Sequence, residues 1–184
     1  SMYANHTAPA DETFYLADFN FDDIETEATV DNPEIPEDGY IYYESWYFYL
    51  HMFAKGCLGV SGEGAEYWDY GYICSPEVDL SSDNGKATLS FKMKASEGES
   101  IEIYLYTTEY GDYQEAYTEY ITVENDNWNE YTIELTNGYE KSLVEIWYYG
   151  TTCAFFDDIK LSQNMTEGEV KTLKILEDFT TDNY

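Results

Sequence analysis

Carboxylates and aromatic rings are the side chains of this sequence best equipped for chemistry. Asp157 lies in the run Phe156-Asp157-Asp158-Ile159-Lys160-Leu161. If Ile159 and Leu161 turn toward a core, the two-residue period of a strand turns Asp157 the same way. An ionised carboxylate buried without a partner is costly. The chain has no Arg, and its eight basic residues are all Lys, so a bound cation is an economical partner. Water or backbone N–H groups at a strand end are the alternative. Calcium is the natural candidate, because it gathers about six to eight oxygens from carboxylates, amides and carbonyls.

The aromatics form the second candidate site. Tyr, Phe and Trp make up 18% of the chain, with 21 Tyr, 9 Phe and 4 Trp. Tyr40, Tyr42, Tyr43, Trp46, Tyr47, Phe48 and Tyr49 share one short segment, and Tyr67, Trp68, Tyr70 and Tyr72 surround a Gly-rich turn. Exposed rings flanked by acids suit sugars, since a ring stacks on C–H faces while carboxylates accept hydroxyl protons. Tyr and Trp also anchor protein partners, and strand aromatics commonly serve the core. Trp128 and Trp147 are expected in the core and Trp46 and Trp68 on the surface. Trp46, Tyr67, Trp68 and Tyr70 are therefore the expected ligand-binding residues.

Other chemistry is weakly signalled. A hydrolase triad would have to use His51, since His6 lies in a polar terminal stretch. No nucleophile motif accompanies it, so a packed His is the expectation. Asp79-x-Ser81-x-Asp83 fails as a calcium loop: Asn84 stands where Gly is needed and Ser90 where Glu is. Residues 59–64 (GVSGEG) match neither a nucleophile elbow nor a dinucleotide fingerprint. Among 38 acids, no pair stands out for glycoside hydrolysis. Cys57, Cys74 and Cys153 lack metal-ligand spacing. One bridge, Cys57–Cys74 for instance, and three buried free thiols both fit. Asn5 and Asn164 open glycosylation sequons, which matter only in a eukaryotic secretory host.

Strands must position these groups. Ala87, Leu89, Phe91 and Met93 alternate with polar residues, as do Ile101, Ile103 and Leu105, then Tyr131, Ile133 and Leu135, then Val144, Ile146 and Tyr148. Each run describes a strand with one buried and one wet face. Further strands are expected near 14–21, 40–50, 70–75, 116–123 and 154–161, with turn clusters such as Ser82-Asp83-Asn84-Gly85 and Tyr110-Gly111-Asp112 between them. Roughly eight to ten strands indicate an all-β fold, a two-sheet antiparallel β-sandwich or jelly roll. The expected division is a linker at 1–13, the sandwich at 14–162, and a linker or the start of a following module at 163–184. Residues 22–39, acidic and containing Pro33 and Pro36, read as a long surface loop. Leu176-Glu177-Asp178-Phe179 echoes Leu16-Ala17-Asp18-Phe19, as the opening strand of a next module would. Ser1-Met2 resembles an appended expression scar, which points to a piece of a longer chain.

The net charge is −30. Nucleic acid is excluded as a partner, because binding it needs Lys and Arg to displace phosphate counterions. Anionic membrane surfaces are excluded on the same ground. No apolar run approaches the roughly 20 residues of a membrane helix. Disorder is excluded by the wealth of aromatic and β-branched residues.

Several stretches together resemble one family. Gly71-Tyr72-Ile73-Cys74-Ser75-Pro76-Glu77-Val78-Asp79-Leu80-Ser81 is similar to the strand and turn of cleaved-adhesin, or choice-of-anchor J, modules and their MAM-like relatives. The strand at 87–91 follows as it does there. Trp128 with Tyr131-Thr132-Ile133-Glu134-Leu135, the closing run at 156–161 and the opening Asp18-Phe19-Asn20-Phe21 complete the resemblance over roughly 16–162. Asn20 stands where that family has Glu. The resemblance implies a galactose-binding-like jelly roll from exported multi-module bacterial proteins, often holding structural calcium. It also implies that the first and last strands are neighbours, which would gather Asp18, Asn20 and Asp157 around the ion. The expected function is a non-catalytic extracellular adhesion or ligand-binding module. Its expected partners are a glycan or cell-surface protein and neighbouring modules of its own chain. A structural spacer is the alternative, and a carboxylate-dependent glycoside hydrolase the remaining one.

Overall fold

The computed structural model describes residues 2–37, 39–62, 70–108 and 112–175. Strands, numbered β1 to β14 in chain order, dominate the fold. One six-stranded sheet holds β3 (Tyr40–Tyr43), β4 (Trp46–Tyr49), β7 (Tyr72–Cys74), β9 (Ser100–Thr108), β10 (Tyr113–Thr122) and β12 (Ser142–Tyr149), in the order β10-β9-β12-β7-β4-β3. The second sheet holds β5 (His51–Ala54), β6 (Cys57–Ser61), β8 (Ala87–Lys94), β11 (Asn129–Leu135) and β13 (Cys153–Met165), in the order β11-β8-β13-β6-β5. β13 is long enough that β6 and β2 (Glu12–Phe19) share one of its edges, along 153–156 and 159–165 respectively. All pairings are antiparallel.

The expected alternation builds the core. Every second residue of β8 and of β12 is buried. Phe48, Ile73, Ile103 and Ile146 of the first sheet meet Leu58, Leu89, Phe156 and Leu161 of the second, all at or near zero exposure. Each such side chain contributes about 1.5–3 kcal/mol by leaving water. The two-sheet antiparallel sandwich read from the sequence is the fold.

Four features add to that outline. The first concerns the ends. β1 (Met2–Thr7), expected as linker, pairs with β14 (Val170–Ile175) as an antiparallel ribbon. Lys171 anchors this ribbon: it is 1% exposed, and its Nζ donates to the Asp79 carbonyl at 2.8 Å. β13 also runs past the expected boundary at 162. The echo at 176–179 lies outside the described residues.

The second is a bulge. Asp158 has φ 48°, and the β13/β8 register shifts between Asp157 and Lys160. The extra residue resets the alternation. Phe156 and Ile159, three apart, both enter the main core. Asp157 therefore leaves the inward position that period 2 assigns it and lies half-buried beside Phe155 on the outer side.

The third is the 22–39 loop, which straps that outer side. Its Ala28 carbonyl accepts from Lys55 N at 2.9 Å, and Glu37 N donates to the His51 carbonyl at 2.8 Å. Val30 packs on a small apolar cluster of Met52, Ala54, Cys57 and Phe155. The fourth concerns the cysteines. Cys57 lies in the outer cluster of the second sheet and Cys74 beside Glu145 on the outer face of the first, so they do not bridge; all three thiols are free, the second of the two readings.

Candidate functional site

The first sheet turns a face of rings outward. Tyr40, Tyr49, Tyr72 and Trp147 stand opposite one another across β3, β4, β7 and β12. The next row runs Tyr42, Tyr47, Cys74, Glu145 and Tyr104. The sequence produces this because inner positions of these strands hold Ile41, Trp46, Phe48, Ile73, Ile103, Val144 and Ile146, leaving the other parity to Tyr, Trp and Glu. The rings touch in series. Tyr72 and Trp147 stack with centroids 4.3 Å apart and planes 18° apart. Tyr49 lies 5.4 Å from Tyr72, Tyr149 lies 6.4 Å from Trp147, and Tyr104 and Tyr106 stack at 5.5 Å. Tyr40, Tyr42 and Tyr47 meet edge to face or tilted. Such offset contacts hold rings in place as well as burying area.

Carboxylates are set among the rings. Trp147 Nε1 donates to Glu145 Oε1 at 2.7 Å, and the Cys74 thiol lies 3.8 Å from Glu145 Oε2. Burial pushes the Glu145 carboxyl above the usual carboxylate range, against the pull of those two bonds. Tyr104 donates its hydroxyl to Glu102 and lies 3.3 Å from the Tyr149 hydroxyl. Burial pushes the Tyr106 phenol up to about 12, with Glu145 adding to it. It pushes Tyr104 and Tyr47 up further still. These phenols stay protonated near neutrality and serve as neutral donors and acceptors. A hollow of about 420 Å³ lies away from this face, lined among others by Val30, Pro33 and Phe155.

The expected ligand residues fall unevenly on this surface. Trp46 is corrected: it is 2% exposed and packs edge-on against Phe19 in the core. Tyr67 and Trp68 lie outside the described residues. Tyr70 joins the platform through an edge contact with Tyr149 at 4.9 Å. Two other tryptophans are also corrected. Trp147 is on the outer face, and Trp128, in the turn before β11, is 40% exposed. Tyr72 belongs to the expected aromatic cluster, whereas Glu145, Trp147, Glu102 and Tyr104 are signalled only as the wet parity of their strands.

The expected calcium trio is spread over β2 (Asp18), the stretch just after it (Asn20) and β13 (Asp157). Asp18 and Asn20 are exposed. Asp18 stands opposite Lys160, and Asn20 Oδ1 accepts the Asp22 N–H at 3.1 Å. Among the described residues, no three His, Cys, Asp or Glu are grouped to hold a metal. Asp157 has other neighbours. Burial raises its carboxyl pKa, the Asp158 and Asp22 charges add to this, and the Asp158 N–H at 2.8 Å and Lys92 oppose it. His51 is 7% exposed and meets the Phe53 ring edge-on, and burial lowers its pKa. It is a packed histidine, as expected.

No protein-family model matches the chain, and no curated protein matches it. Solved structures do. The CBM22-1 xylan-binding domain of Paenibacillus barcinonensis Xyn10C superposes with a TM-score of 0.51 at 13% identity, over 88% of this chain and 100% of that one. The chain shares its β-sandwich fold. The K3 cleaved adhesin domain of Lys-gingipain from Porphyromonas gingivalis is also similar, with a TM-score of 0.47 at 15% identity, over 82% of this chain and 100% of that one. The module that the sequence motifs resemble is thus among the similar structures. At these identities the likeness is one of fold. No helix among the described residues is long and apolar enough to cross a membrane.

Proposed function

We propose that the chain is a non-catalytic, extracellular glycan-binding module that holds a saccharide on the outer face of its first sheet. The observation that carries this reading is the continuous row of rings around the Tyr72–Trp147 stack. Flat rings offer stacking surface, and the carboxylates and phenols between them offer hydrogen bonds that fix orientation. The fold shared with a xylan-binding module supports the reading without carrying it. Affinity electrophoresis through gels containing dissolved polysaccharides tests it. A polysaccharide that retards the chain should retard Trp147→Ala and Tyr72→Ala far less, with the circular dichroism of both unchanged. Undiminished retardation of both variants would move the site elsewhere, and a chain that no polysaccharide retards is a spacer.

Calcium as a fold-stabilising ion belongs to the same proposal. Its proposed ligands remain Asp18, Asn20 and Asp157, and Asp22 is a further carboxylate whose charge acts on Asp157. The mutual repulsion of Asp157 and Asp22, and the desolvation of Asp157, are what a divalent cation relieves. Calcium should raise Tm more than magnesium does at equal ionic strength, and Asp157→Asn should remove the difference. Equal shifts from the two ions would reject a specific site.

A further inference from the structure

The charges beside the rings select the class of glycan. We propose that this face takes an uncharged, hydroxyl-rich polysaccharide chain and turns anionic chains away; this inference rests on the glycan-binding reading above. None of the six strands of the first sheet contains a Lys, and the chain has no Arg. Three carboxylates face outward in register instead. Glu145 is opposite Tyr104, Glu102 is opposite Trp147, and Glu115 is opposite Tyr106. At the β10 edge, Glu77 accepts the Tyr113 hydroxyl at 2.8 Å. The Lys residues of the sandwich strands lie in the other sheet: Lys92 and Lys94 on β8 and Lys160 on β13. Lys92 is already 3.0 Å from Asp158.

A uronate or sulfate laid on Trp147 would sit beside Glu102 and Glu145 with no cation to offset it. Like charges at such separations lower affinity by about tenfold or more per unpaired charge. An uncharged chain meets no such cost. Its C–H faces can stack on Tyr72 and Trp147. Its hydroxyls can donate to carboxylates that Trp147 and Tyr104 already hold in place and that keep acceptor capacity. The row from Tyr40 to Trp147 crosses three strand spacings, about 14 Å at ~4.8 Å each, so an extended chain covers it better than a single sugar.

The test uses affinity electrophoresis at near-physiological salt, with two sets of polymers. Uronate-free arabinoxylan, galactomannan and mixed-linkage glucan are uncharged; polygalacturonate and chondroitin sulfate are anionic. At least one uncharged polymer should retard the chain, with affinity falling at least tenfold in Trp147→Ala, or in Tyr40→Ala should the first variant not fold. Neither anionic polymer should retard it. An anionic polymer whose retardation is lost in Trp147→Ala overturns the inference while the platform reading stands. Retardation by neither set overturns the platform reading and the inference with it. The double variant Glu102→Lys, Glu115→Lys should gain retardation by polygalacturonate, and no gain counts against charge as the selecting element.

Discussion

Glu145 combines two demands that oppose each other. Its position among Tyr47, Tyr72 and Trp147 desolvates the carboxylate, while Trp147 Nε1 at 2.7 Å favours the charged form. Desolvation wins, so the folded-state pKa is raised. The folded state binds the proton more tightly than the unfolded one, so this contribution is fully present below the ordinary Glu value of about 4.3 and is lost as pH rises through the higher folded value. Near neutrality the charged Glu145 costs stability. Glu145→Gln, which keeps an acceptor for Trp147, should raise Tm near neutral pH, and the gain should shrink toward zero as pH falls to about 4. A gain independent of pH would mean that charge is not the cause. The same residue marks what the sequence could reveal. The burial of Val144, Ile146 and Tyr148 forces Glu145 and Trp147 onto the wet face, and that parity was legible. Trp147 was still expected in the core because it is large and apolar, and such character says nothing about which face a ring covers. Trp46 was illegible for the opposite reason. Rings occupy both parities of 46–49, and only pairing with β7 decides which side is the interior.

Elements went wrong where one residue broke a period. The alternation that located β8, β9 and β12 also predicted an inward Asp157. A single left-handed residue, Asp158, inverted that answer for half of β13. No rule of composition marks Asp158 as the inserted residue, because Asp visits φ > 0 only occasionally. The β1–β14 ribbon was missed because an isolated two-stranded pair is marginal on sequence grounds, and Lys171 buried against Asp79 is a tertiary contact. Another tertiary contact fixes the turn at 80–86. Gln163 is 2% exposed, and its Nε2 faces the carbonyls of Leu80 at 2.8 Å, Ser82 at 3.0 Å and Lys86 at 2.9 Å. Gln163→Leu keeps the volume and removes the donor. Buried carbonyls left without a donor cost about 1–3 kcal/mol, which denaturant unfolding should register as a lower midpoint with an unchanged slope. Gly62 is held by a close backbone approach. A Cβ there would lie 2.0 Å from the Gly150 carbonyl oxygen and 2.5 Å from its carbon. Both are backbone atoms and cannot swing aside, so Gly62→Ala should cost about 1–3 kcal/mol or more, seen as a lower Tm.

At the scale of the molecule the charge of −30 is the dominant fact. Among the described residues the Lys–carboxylate pairs are Lys55–Glu27 at 3.9 Å, Lys92–Glu130 at 4.0 Å, Lys92–Asp158 at 3.0 Å and Lys171–Asp79 at 3.8 Å. The first three reach into solvent, where such pairs contribute about 0.2–1 kcal/mol each. Screening them therefore loses little. Screening the mutual repulsion of 38 acids against eight Lys gains more, because compaction brings like charges together and self-repulsion opposes the folded state. The Debye length falls from about 30 Å at 0.01 M salt to about 8 Å at 0.15 M and about 3 Å at 1 M, so most of this relief arrives at moderate salt. Raising sodium chloride from about 0.01 M to about 0.5 M should lift Tm by roughly 5 °C, which at ~2–4 °C per kcal/mol corresponds to about 1–3 kcal/mol. A Tm that falls with salt would show that the ion pairs outweigh the repulsion. The ligand face should respond differently. Stacking on Tyr72 and Trp147 and hydroxyl bonds to Glu102 and Glu145 involve no charge on the ligand, so affinity for an uncharged polysaccharide should stay within about twofold over the same salt range. Salt would thus stabilise the sandwich while leaving its recognition untouched, which separates the repulsion spread over the whole surface from the short-range chemistry of one sheet.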